Sequence, residues 1–222
     1  MAVTLQKFSV AGLAGHLEGV AHVPEASPEL GPRETPRAIA VVAHPLPTMG
    51  GTMENKVAVT LTKTFADLGC VSLRFNFRGV GASEGEFTGG DGEEQDMIAV
   101  VRYAQEQFGD ELPLVLAGFS FGGYVAARVA QQIHPQHLVL AAPAVGRYAP
   151  STELGAGMPA VSPDTLVIHG EHDEVVPLHD VLSWARPQQL PIIVLPQAGH
   201  FFHGRLTQLR DIVRRHFTGV EL

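Results

Sequence analysis

A chain of 222 residues, 45% of them hydrophobic and one of them cysteine, can bury a substantial core and has no internal disulfide to hold it. Its formal charge of −8, with no basic cluster, argues against nucleic acid and anionic membrane as partners. The lone thiol Cys70, the missing basic-then-apolar leader pattern and the lack of any membrane-length apolar run read as a cytoplasmic protein.

In chain order, residues 3 to 23 alternate loosely between apolar and polar around Gly12 and Gly15, which predicts two antiparallel edge strands. Pro24, Pro28, Pro32 and Pro36 then mark a solvated loop. Ala38 to Ala43 is apolar throughout, as in a strand covered on both faces. Val57, Leu61, Phe65 and Leu68 form a helical stripe closed by Gly69, and Val71, Leu73 and Phe75 give another strand. Asp91 with Glu94 three residues later signals a helix start, with Met97, Val101, Ala104 and Phe108 as its buried face. The neighbouring acids Glu84, Glu86 and Glu93 and also Asp96 read as a solvated loop and a favourable helix N-terminus. Further strands are expected at 138–142, 165–168 and 192–195, with a short helix around 178–185 and a terminal helix through Leu206, Leu209, Val213 and Phe217. Strands alternating with helices predict one α/β domain over 1–222, a doubly wound, mostly parallel sheet with helices on both faces.

The stretch Leu114 to Gly123 organises the rest. A short strand turns at Gly118, presents Ser120 within Gly-Phe-Ser-Phe-Gly and continues into a helical pattern. A serine on such a strand-to-helix turn takes a strained backbone that projects its Oγ, and only glycine fits two residues to either side. The bland alternative is a glycine-rich turn with a solvated serine.

In open α/β sheets sites form beyond the carboxyl ends of strands, and His44, Arg78, Ser120, Asp173 and His200 each follow such an end. Ser120, Asp173 and His200 stand in the chain order of nucleophile, acid and base. In that arrangement the imidazole takes the hydroxyl proton and the carboxylate fixes the ring's tautomer. Glu171, Glu174 and Asp180 compete with Asp173, and His203 with His200. Asp173 is preferred because it lies five residues past its strand, and His200 because it lies in the turn after the last strand. An oxyanion requires two backbone N–H groups. Phe121, after the nucleophile, supplies one. Leu46, standing between two prolines that have no N–H, is the candidate for the other. His44 is read as a brace for that loop.

Gly81-Ala82-Ser83-Glu84-Gly85 also fits G-x-S-x-G, but no helix follows it, so Ser83 is not expected to be the nucleophile. Nor does this loop supply the third glycine of a dinucleotide fingerprint. His169 with His172, and His200 with His203, have the spacing of metal-ligand pairs. The serine elbow makes a metal or any other cofactor unnecessary, so none is expected.

Taken together, His44-Pro45-Leu46-Pro47 with Gly50 to Lys56, Phe75 to Gly85, Gly118 to Gly123, His169 to Pro177 and Gly199-His200 resemble the small bacterial serine hydrolases of the α/β-hydrolase superfamily that have no cap domain. The resemblance covers nearly everything after residue 37. The part before it, 1–37, matches only as edge strands and a proline-rich loop. The resemblance implies Ser120, Asp173 and His200 as triad and the 78–85 loop as structural. Residues 143–163, where relatives insert a lid, are too short and glycine-rich for a full cap, which implies an open site. Met49, Phe119, Tyr148 and Phe201 are then the candidate substrate walls, with Leu46, Phe121, Met158 and Phe202 beside them. The expected activity is cleavage of small carboxylic esters through an acyl-enzyme. Thioesterase, lactonase, peptidase or acyltransferase chemistry on the same residues stays open, as does a silent binding domain on the same fold.

Overall fold

Every residue of Ile39–Ala43 is fully buried, because this strand carries apolar side chains toward two different cores. Ile39, Val41 and Ala43 face one cluster, and Ala40 and Val42 face the other, as the two-residue period of a strand requires. A computed structural model describes residues 2–25, 36–146 and 157–218. In it the strands are β1 (Val3–Gly12), β2 (Gly15–Pro24), β3 (Ile39–Ala43), β4 (Val71–Phe75), β5 (Leu114–Phe119), β6 (His137–Ala141), β7 (Leu166–Gly170) and β8 (Ile192–Leu195). They form one eight-stranded sheet in the order β1-β2-β4-β3-β5-β6-β7-β8. The β1–β2 and β2–β4 pairs are antiparallel, and all the others are parallel.

The helices are α1 (Lys56–Asp67), α2 (Asp91–Phe108), α3 (Phe121–Ile133), α4 (Leu178–Ala185) and α5 (Leu206–His216). One core packs the apolar stripes of α2, α3 and α4 against the sheet through Met97, Val101, Val125, Val129 and Val181. The other packs α1 and α5 against the opposite face through Val57, Leu61, Phe65, Leu209 and Val213. The order β4-β3-β5 makes the chain leave β3 toward one edge and return on its other side at β5. Loops after two such strands diverge and leave a crevice between them, and here they carry Leu46 and Ser120.

Glu84, Glu86 and Asp91 are exposed, as a solvated loop and helix start require, but the later acids of the run are buried. Helix α2 does begin at Asp91, but Glu93, not Glu94, closes its end by accepting from Gly90 N–H at 2.7 Å and from Thr88 N–H and Oγ1, both at 3.0 Å. Glu94 is buried against the Arg128 guanidinium and accepts from Gln132 at 2.9 Å. Asp96 is fully buried and accepts from Arg78 backbone N–H at 3.0 Å and from its Nη2 at 2.7 Å. Glu93 finds its partners at the helix start itself, whereas those of Glu94 and Asp96 lie on α3 and on the 78–85 loop.

Candidate active site

Ser120 links β5 to α3 with φ 55° and ψ −117°, a conformation that costs a non-glycine residue about 1–3 kcal/mol. Neighbouring backbone holds it there. Its N–H donates to Ala141 O at 3.0 Å, and its carbonyl accepts from Gly123, Tyr124 and Ala144. The turn is tight enough that a Cβ on Gly118 would overlap the Gly122 carbonyl. A Cβ on Gly122 would overlap the carbonyl oxygens of Ala43 and His44. The start of α3 is therefore pressed against the end of β3.

From the serine a hydrogen-bonded chain runs through two other loops. Ser120 Oγ lies 3.0 Å from His200 Nε2, and His200 Nδ1 lies 2.8 Å from Asp173 Oδ2. All three residues are buried. The second carboxylate oxygen, Oδ1, accepts from Val175 N–H at 2.9 Å and Val176 N–H at 2.7 Å. Burial pushes the Asp173 carboxyl up. The His200 hydrogen bond, the Val176 N–H and the favourable electrostatics of the two adjoining imidazoles outweigh it and hold the group below its ordinary value. The carboxylate is thus present to accept the imidazole N–H, which leaves Nε2 as the acceptor facing Ser120.

The loop after β3 turns through a 3₁₀ segment, Pro47–Met49, closed where Leu46 O accepts from Met49 N–H at 3.2 Å and Gly51 N–H at 3.0 Å. Among the described residues the Leu46 N–H donates to no acceptor. Phe121 opens α3, so its N–H lies in the first turn at the positive end of the helix. Two residues from Leu46, the fully buried His44 ring meets Pro45 O through Nδ1 at 2.6 Å, and its Nε2 accepts from Phe77 N–H at 3.1 Å. Burial pushes the His44 pKa down to about 4, against the Pro45 carbonyl, which raises it. The neutral ring ties the Leu46 loop to the strap that follows β4.

That strap holds the second G-x-S-x-G. Ser83 Oγ donates to Asn76 O at 2.7 Å and accepts from Glu18 N–H at 3.0 Å, so this buried serine serves the fold. Arg78, on the same strap, is anchored to Asp96.

The expected substrate walls fare unequally. Phe201 is 42% exposed, its ring set edge-on to His200 at 5.1 Å between centroids. Phe119 does not line a surface. It is fully buried, 5.0 Å from the His200 ring and packed with Phe202, because its strand position turns it into the core under the imidazole. Phe121 is likewise buried, packed against Phe77 and Phe87. Met49 stands 82% exposed on the 3₁₀ turn and encloses nothing. Tyr148 lies outside the described residues.

Of the competing residues, His203, Glu171 and Glu174 are exposed. His172 faces outward beside Glu171 at 3.8 Å. His169 is different. It is fully buried at the end of β7, with Nε2 3.4 Å from Asp173 Oδ2. The sequence pattern singled it out as half of a metal-like pair and as the start of the 169–177 block, with no role beside the acid; the usable signal was its place four residues before Asp173 at a strand end.

The model of the family described as serine aminopeptidase, S33, matches residues 34–158. A lidless α/β serine hydrolase of Xanthomonas campestris is 34% identical and superimposes with TM-score 0.83, the match covering 98% of this chain and 95% of that one. An α/β serine hydrolase homologue of Coxiella burnetii is 35% identical with TM-score 0.81, over 97% and 98% of the two chains. An uncharacterised protein of Rickettsia prowazekii is 33% identical over 147 residues, 64% of this chain. The match spans 60% of that relative's length.

Proposed function

The chain belongs to the serine aminopeptidase, S33, family of α/β serine hydrolases, and we propose that it cleaves small carboxylic esters through an acyl-enzyme on Ser120. One observation carries this reading: the Oγ-to-Nε2 and Nδ1-to-Oδ2 contacts of 3.0 and 2.8 Å, which begin at a serine held at positive φ.

In the proposed reaction Ser120 Oγ attacks the ester carbonyl carbon while its proton passes to His200 Nε2. Asp173 stabilises the imidazolium that forms. The carbonyl oxygen becomes an oxyanion and accepts from the N–H groups of Leu46 and Phe121. When the tetrahedral species collapses, the ester C–O bond breaks and the departing alcohol takes the proton from Nε2. Water then gives a proton to Nε2 and its oxygen to the acyl carbon. The acid leaves, and the proton returns to Ser120 Oγ. The half-exposed Phe201 edge beside His200 and the half-buried Leu46 offer apolar contact to a short acyl or alcohol group. The proposal needs neither metal nor cofactor.

A series of nitrophenyl esters of increasing acyl length tests this. Short esters are expected to turn over, with Ser120→Ala losing on the order of a thousandfold or more. Absence of turnover above that variant for every short ester would overturn the ester assignment. Competition between matched oxygen esters, thioesters and aminoacyl amides ranks the chemistries that share these residues.

A further inference from the structure

Asp173 meets two imidazoles. His200 takes one side of the carboxylate, and His169 approaches the same oxygen, Oδ2, from the end of β7 at 3.4 Å. That distance is electrostatic contact and not a well-formed hydrogen bond. The hydrogen bond of His169 goes elsewhere, from Nε2 to Val176 O at 2.9 Å. A carbonyl accepts only, so Nε2 carries the proton and Nδ1 is a bare acceptor. Nδ1 is buried and has no hydrogen-bond partner among the described residues. Leaving such an atom unpaired is unfavourable, and a leucine of similar bulk would avoid it.

The Nε2–H provides what a leucine cannot. Val176 is the residue whose N–H grips Asp173 Oδ1 at 2.7 Å. His169 therefore holds Val176 by its carbonyl while Val176 holds the carboxylate by its amide. The same ring edge lies against the other carboxylate oxygen. Burial lowers the His169 pKa, against Asp173 and the Val176 carbonyl, which raise it, so the ring is neutral and fills this place as a donor.

We propose that His169 is a positioning residue, its imidazole fixing the Val176 peptide and thereby the aim of Asp173 at His200. The proposal rests on the reading of Ser120, His200 and Asp173 as the reacting set. Its test therefore has one readout that needs no turnover. A far-downfield proton resonance from His200 Nδ1–H reports the hydrogen bond to Asp173 directly, with Asp173→Asn as the control that abolishes it. The pseudo-first-order rate of fluorophosphonate labelling, followed against pH and reagent concentration, reports Ser120.

His169→Leu is expected to shift or broaden the resonance and to slow the maximal labelling rate about tenfold, with half-saturating reagent unchanged. His169→Gln places an amide N–H near the position of Nε2–H and is expected to recover the resonance and to label within about threefold of wild type. An unaltered resonance and rate in His169→Leu would overturn the proposal, as would a His169→Gln variant as impaired as His169→Leu. Should His169→Leu fail to fold, the comparison passes to His169→Gln against His169→Asn, whose amide stands nearer Nδ1. Equal behaviour of those two overturns it as well. A folded wild type that shows the resonance but takes no label would sink the serine-hydrolase reading, and the resonance would still decide the role of His169.

Discussion

The backbone N–H of His172 donates to the carbonyl of Ala198 at 2.9 Å, and that bond fastens the loop carrying Asp173 to the loop carrying His200. Glu171 adds two more ties, its N–H to Leu195 O at 3.0 Å and its Oε2 accepting from Gln197 N–H at 2.9 Å. Gly170 permits the approach, since a Cβ there would overlap the Ala198 carbonyl oxygen. Gly170→Ala should push the two loops apart and lengthen the imidazole–carboxylate contact. We expect a loss of at least tenfold in kcat with a KM little changed. Steady-state kinetics on a turned-over ester check this, and unchanged kcat would show that the loops tolerate the side chain.

The two G-x-S-x-G serines should separate cleanly. Ser120→Ala abolishes fluorophosphonate labelling and leaves the melting temperature at or above that of wild type, because it removes no hydrogen bond that the turn depends on. Ser83→Ala keeps the label but costs about 1–3 kcal/mol, having orphaned the Glu18 N–H of β2, against which the strap lies. Labelling and thermal melts on both variants provide the check; a label that survives at Ser120→Ala would relocate the nucleophile.

Stability should fall with acid well before the carboxylates protonate. His44 and His22 titrate near pH 4 in the fold, His22 because of burial and then the nearby Arg74, against about 6.5 when unfolded. Between those values the unfolded chain binds more protons than the native one, so stability is full above about pH 6.5 and drains as pH falls toward 4. Asp173, held low in the fold, adds a further loss as pH falls through its folded value. Replacing His44 with Gln should remove roughly 3 kcal/mol of the dependence between pH 6.5 and 4. Urea melts at several pH values measure the slope, and parallel curves for variant and wild type would refute the assignment.

Asp96→Ala strands the buried Arg78 guanidinium and should cost about 3–5 kcal/mol. Replacing both partners, with Arg78→Met and Asp96→Leu, should recover much of that loss. A double-mutant cycle read by urea unfolding tests the pair, and a cost below 1 kcal/mol for Asp96→Ala would show that water reaches the guanidinium.

The sheet and the Ser120, His200 and Asp173 side chains that it brings into contact were legible because their signals are local. Unbroken apolar runs such as Ala38 to Ala43 read as strands covered on both faces, and the Gly118 to Gly123 turn announces its own geometry. What the sequence hid depends on partners far along the chain. Glu94 and Asp96 look like solvent-facing acids until α3 and the strap bring Arg128 and Arg78 to them. Phe119 looks like a pocket wall until the pleat shows which way it points. His169 looks like half of a metal pair until the turn after β7 folds Asp173 back onto it.

Ser120 and His200 touch across 80 residues of chain, with β6, β7 and β8 laid down between them. Contacts of such long range form late, since the connecting segment must first be ordered. The Ser120–His200 contact is therefore expected to form only once the far flank of the sheet has docked. Far-ultraviolet circular dichroism should regain its native value in a refolding trace before covalent labelling does. On the proposed function, a half-made molecule would then carry a harmless alcohol where the finished one carries a nucleophile.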